Sequence, residues 1–181
     1  MTSARTEAEA QFPNNIKDHK LTIIRDEGLY RHLRFSRPDT CTMRFDVITW
    51  PGHLAFVGDV GYWVFVRSMD MLDFFRGDGI DPPYWGEKIM AGRHGEYSED
   101  IARERIKEAL SEGEFTDDER DEANGIVTDE GEDYTRRQIS ESCLRECLQD
   151  ASFKAYTYHY IWACLALVWG IKQYDAAKEP K

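Results

Sequence analysis

Alternation of apolar and polar residues governs the first third of the chain, and helical spacing governs most of the remainder. Residues 20–25 (KLTIIR) are β-branched at their centre and read as a strand, after which Asp26-Glu27-Gly28 turns the chain. Residues 30–36 alternate weakly through Leu33 and Phe35 and fit either a strand or a short helix. Residues 42–50 form a clearer strand, with Met43, Phe45 and Val47 on one face and Arg44, Asp46 and Ile48 on the other. Pro51-Gly52 suits the centre of a type II turn, where Pro fixes φ and Gly supplies a positive one. Residues 54–57 and 62–67 are then strands joined by a two-residue hairpin loop at Gly58-Asp59. The prediction is a three-strand antiparallel meander.

Ser68 can cap a helix running through Phe75, and Asp81-Pro82-Pro83 opens a short one through Tyr84, Trp85 and Ile89. Ser98 is a suitable N-cap for residues 99–112, whose Ala102, Ile106, Ala109 and Leu110 line one face, and Gly113 ends that helix. Thr116-Asp117-Asp118-Glu119 is a capping box that starts a short, exposed helix. Residues 129–150 read as one longer helix with Ile139, Cys143 and Cys147 on a stripe. Residues 153–175 read as a terminal helix, apolar all round in its middle, which other elements must surround. Residues 1–18 carry no such pattern, lack the features of a secretion signal, and are assigned to a flexible tail. The expectation is an α+β chain in one domain over residues 19–181. A small antiparallel sheet (19–76) comes first, then a helical part (80–181) packed on one face.

Charge adds a division that periodicity does not show. Residues 93–150 hold 19 Asp and Glu against 8 Lys and Arg, a balance of −11, and the remainder holds 15 of each sign. An asymmetry of this size suggests an interaction surface more than a pocket for chemistry. Its densest part is Asp117, Asp118, Glu119, Asp121, Glu122, Asp129, Glu130, Glu132 and Asp133, within 17 residues that contain one Arg. Such a face can be a solvated surface, a docking surface for a basic partner, or a set of carboxylates imitating nucleic-acid phosphates.

Candidate chemistry is sparse. No phosphate-cradling loop, dinucleotide fingerprint or serine-nucleophile elbow occurs. His53, Asp46, Asp59 and Arg67 surround the meander and are the best acid–base set. His53 and Asp59, however, flank a strand that spans roughly 13 Å, well beyond proton-transfer reach. Cys143 and Cys147 lie four apart with His159 beyond, but one ligand pair does not make a zinc signature, and buried core thiols are the expectation. The four cysteines suit a reducing compartment. The uncharged stretch 155–171 is short for a membrane span and is expected as a buried helix. The best basic group, Lys20, Arg31, His32, Arg34 and Arg37, can bind a phosphate or pair with the acidic helices. With a pI near 4.9, direct nucleic-acid binding is disfavoured. No metal or cofactor is expected.

The string Phe45-Asp46-Val47-Ile48-Thr49-Trp50-Pro51-Gly52-His53-Leu54, preceded by His32-Leu33-Arg34-Phe35, resembles a family of small proteins encoded by bacteriophages and prophages. Gly58-Asp59, Phe65 with Arg67, Asp70-Met71, Phe74-Phe75, Trp169 and Tyr174-Asp175 extend the likeness. The family has no established activity, so the resemblance carries over no catalytic residue. It implies a phage origin and the host cytoplasm, where small phage proteins act on host machinery, including defence nucleases with basic working surfaces. The expected function is therefore non-catalytic anti-defence inhibition, with the acidic helices docked on a basic, nucleic-acid-binding host protein. Two alternatives stand beside it: a small enzyme acting on nucleotides or nucleic acid through His53, Asp46, Asp59 and Arg67, or a virion component that self-associates through Trp63, Trp85 or Trp162.

Overall fold

The computed structural model describes residues 4–126 and 128–179 and is α+β. Helix α1 (Ala4–Ile16) stands where a flexible tail was expected. Its Ala8, Phe12 and Ile16, spaced four apart, form one buried stripe, and the Phe12 ring meets Trp162 edge-on at 5.3 Å. Three apolar residues among polar ones are a faint stripe in sequence, and a distant partner gives them their purpose.

The sheet is larger than a meander. Strands β1 (Lys20–Glu27), β2 (Tyr30–Ser36), β3 (Phe45–Trp50), β4 (His53–Gly58), β5 (Gly61–Val66) and β6 (Ile89–Ala91) pair antiparallel in that order. Residues 30–36 are thus a strand. Gly52 has φ 80°, as a type II turn requires. The β4–β5 loop is Asp59-Val60, one residue later than expected, because Gly58 pairs with Gly61. A side chain at Gly58 would come within 2.4 Å of the Arg44 carbonyl, so this strand end has room only for glycine.

Between the fifth and sixth strands lie α2 (Met71–Phe75) and α3 (Pro82–Gly86). Asp70, not Ser68, caps α2 through Leu72 N–H; the Ser68 hydroxyl donates instead to the Asp70 carbonyl. The third helix stops at Gly86, and Ile89 enters β6.

Residues Gly95–Ala155 form a second compact unit. Strand β7 (Gly95–Tyr97) leads to α4 (Glu99–Glu112), capped by Ser98 and ended at Gly113, and to α5 (Asp117–Asn124), which has the full capping box. The single helix expected over 129–150 is broken into α6 (Glu132–Glu141) and α7 (Arg145–Leu148). Ser142 breaks it: its hydroxyl donates to the Ile139 carbonyl and accepts from Leu144 N–H, replacing helical bonds. Strand β8 (Lys154–Tyr156) pairs with β7, and Ala102, Ile106, Leu110, Ala123, Ile139, Leu144, Leu148 and Phe153 are the buried core of this unit.

Pairing in β8 delays the terminal helix, α8 (Tyr158–Lys178), whose N-cap Thr157 accepts from Tyr160 N–H. It returns to the first unit, residues 4–94 and 156–179. Buried on most sides, it lies on the inner sheet face, where Phe35, Phe45 and Phe56 stack at 4.8 and 5.2 Å. Trp162 and Trp169 meet Phe45 edge-on. Gly170 allows this approach, since a Cβ there would stand 2.9 Å from the Phe35 ring. No helix among the described residues is long and apolar enough to cross a membrane.

Candidate functional site

The boundary between the two units is also a boundary of charge. Gly95–Ala155 carry 19 acidic and 8 basic residues, hence the entire −11, while the other unit is neutral. Asp117, Asp118 and Glu119 occupy the first turn of α5, and Glu132 and Asp133 the first turn of α6, where carboxylates also complement the helix dipole. Two of the nine named carboxylates are committed to local structure. Glu119 accepts from Thr116 N–H and hydroxyl at 2.8 Å each, which holds its carboxyl below the usual range. Glu132 pairs with Arg136 at 3.0 Å and with Lys154 at 3.7 Å. The other seven, Asp117, Asp118, Asp121, Glu122, Asp129, Glu130 and Asp133, are exposed and make no ion pair among the described residues.

Arg31, His32, Arg34 and Arg37 of the basic group find partners within their own unit. Arg34 donates from Nε and Nη2 to the two Asp46 oxygens at 2.9 and 2.8 Å, and His32 Nε2 lies 2.7 Å from Oδ2. Burial pushes the Asp46 carboxyl up, but hydrogen bonds from Arg34 and His32 outweigh it and hold the group below its usual value. Arg31 forms a two-point pair with Asp70 at 2.9 and 2.8 Å, and Arg37 donates to the Asn15 carbonyl.

The structure does not bring His53, Asp46, Asp59 and Arg67 together. His53 pairs with Trp50 and Val66 in register, and Arg67 N–H donates to the Gly52 carbonyl, so these two share one end of the β3–β4 hairpin. Asp46 lies opposite Val57, and Asp59 accepts from Met43 N–H at 2.7 Å, at the other end. His53 stacks on Trp50 at 5.0 Å. Trp63, Trp85 and Trp162 are buried and unavailable as contacts to a second molecule. Cys143 is half-buried and Cys147 exposed, where core thiols were expected. Among the described residues no group of three His, Cys, Asp or Glu is placed to hold a metal ion.

The outer face of the six-stranded sheet is a feature that the sequence pattern did not reveal. Helices α2 and α8 pack on the inner face and α1 and α3 pack on them, and cross-strand register arranges the outer face in rows. One row runs Thr22, Arg34, Asp46, Val57, Tyr62; a second runs Arg25, His32, Ile48, Ala55, Val64, Ala91. In the first row charge lies on β2 and β3 and apolar groups on β4 and β5; in the second, Arg25 and His32 on β1 and β2 give way to apolar groups from β3 onward. Val57, Tyr62, Val66 and Met90 retain 48, 66, 40 and 63% of their surface. A cavity of about 510 Å³ beside Trp50, lined by Arg25, Tyr30, His32 and Ile48, lies on the polar half. A signal for this face exists: YWVFV is apolar on both phases of the alternation, a pattern usual in strands covered on both faces. No family model, curated protein or solved structure matches this chain.

Proposed function

We propose that this is a non-catalytic binding protein of phage origin that inhibits a basic, nucleic-acid-binding host protein in the host cytoplasm by docking the acidic face of Gly95–Ala155 on it. The observation that carries the reading is the confinement of the whole −11 to one compact unit, with seven exposed carboxylates free of ion pairs among the described residues. Retaining unpaired like charges on one small unit costs self-repulsion, and a basic partner surface offsets that cost while steering the encounter.

The test is capture of a partner from host extract at rising salt. Exposed charge contacts are screened over about 10 Å at 0.1 M salt, so the partner should be lost by a few hundred millimolar. Reversal of Asp121, Glu122 and Glu130 to Lys should weaken capture at least tenfold with the circular dichroism unchanged. These three are chosen because Asp117 and Asp118 also serve the first turn of their helix, where a Lys would confuse docking with folding. Capture that survives both salt and reversal overturns the proposal.

A further inference from the structure

We propose that a cavity between α6 and α7, within Gly95–Ala155, binds a small carboxylate that carries one aromatic ring. None of the nine carboxylates considered for docking lines it, so this site does not depend on the acidic surface.

The cavity grows out of a sequence pattern used twice. Arg136, Ile139 and Ser140 on α6 are matched by Arg145, Leu148 and Gln149 at α7. Each set is an arginine, an aliphatic residue three later and a polar residue four later, and such positions share one helix face. The break at Ser142 lets the two faces border one space. Together with Phe153 they line a cavity of about 190 Å³. Ile139, Leu148 and Phe153 are buried and make its apolar wall. An apolar cavity of about 150 Å³ holds benzene, so one ring with a short acid arm suits this volume.

Charge decides what the ring must carry. The unit holds 19 acidic residues against 8 basic ones, yet the lining has two guanidiniums and no carboxylate. Arg136 is occupied. It pairs with Glu132 at 3.0 Å, donates to the Ala151 carbonyl at 3.0 Å and lies 4.8 Å over the Phe153 ring. It therefore serves as a planar wall, a surface on which aromatic rings stack. The Arg145 side chain makes no hydrogen bond or ion pair among the described residues. Its guanidinium is left to take a carboxylate at two points, the arrangement that makes such pairs strong. A neutral ring would leave Arg145 unused, and a cationic one would be repelled by it.

Phenylacetate is the probe, titrated into the isotope-labelled full chain and followed by amide NMR shifts. Binding should saturate with a Kd below about 1 mM, and the shifted amides should cluster within residues 136–153. Phenylacetamide has the same shape without the charge and should bind at least tenfold more weakly. Arg145→Gln should weaken phenylacetate at least tenfold and leave phenylacetamide unchanged, with the fold retained because Arg145 is exposed. Should that variant lose its fold, the acid–amide comparison on the unaltered chain decides. No saturation by about 10 mM phenylacetate, shifts centred outside residues 136–153, or equal binding of acid and amide overturns the proposal. Full phenylacetate affinity in folded Arg145→Gln overturns it as well.

Discussion

The neutral unit and the acidic unit are stabilised by different materials. The first packs stacked phenylalanines and edge-on tryptophans between a sheet and two helices that lie at opposite ends of the sequence. The second has a smaller core of mostly aliphatic side chains, supplied largely by helices adjacent in the chain, and a strand pair joins its two ends. Charge divides along the same line: the aromatic unit holds Asp46, Asp70 and Asp175 in two-point arginine pairs, and the acidic unit leaves most of its carboxylates in water. The acidic balance is therefore the property of one structural unit and no average over the chain.

The largest test of this contrast is Phe45→Ala, which removes a ring in contact with Phe35, Phe56, Trp162 and Trp169 and should cost about 3–5 kcal/mol. Hydrogen exchange should locate that loss in residues 4–94 and 156–179. Leu144→Ala, in the fully buried centre of the smaller core, should cost about 2–5 kcal/mol and speed exchange in the helices of Gly95–Ala155. If each substitution loosens both regions equally, the two units are one energetic unit and the comparison fails.

Acid should separate them next. His19 is buried with Nδ1 unpartnered, and burial lowers its pKa from 6.5. The stability it contributes is full above 6.5 and is lost as pH falls through the lower folded value. Asp46 and Asp70, also held below their usual range, act in the same direction at lower pH: their contribution is present above the unfolded value and is lost as pH falls through the folded one. Gly95–Ala155 contain no histidine, so their exchange protection should not share that loss. His19→Gln should flatten the response of the neutral unit below about pH 6.5. An unchanged slope would remove His19 from the account.

The smallest effect sharpens the local end of the comparison. Thr116→Ala deletes one half of the capping box and should cost about 1 kcal/mol, read as a lower urea midpoint for the acidic unit alone.

Local signals were legible to within a residue or two. Ser98 and Thr116 cap the helices they were expected to cap, and Pro51-Gly52 makes its turn, because such hydrogen bonds and backbone angles act within three or four residues. The misread elements depend on distant partners. Helix α1 needs Trp162, β8 needs β7, and β6, expected as the end of a helix, is a strand by pairing with β5. Of the candidate site, the nine carboxylates were visible in the sequence, but not that Glu119 and Glu132 are occupied. The acid–base quartet failed for the reason strand length foretold: its members stand at two ends of one hairpin.

The alternation, the turns, the caps and the position of the acidic residues are thus written in the chain itself, since all are properties of near neighbours. Which of two apolar sheet faces is covered is not, because period-two geometry marks both faces of YWVFV as apolar and only packing against α8 chooses between them. The standing of the acidic stretch as a unit of its own is likewise a tertiary outcome. Closing Gly95–Ala155 through the pairing of β7 with β8 joins residues far apart in sequence, and no local preference encodes that contact.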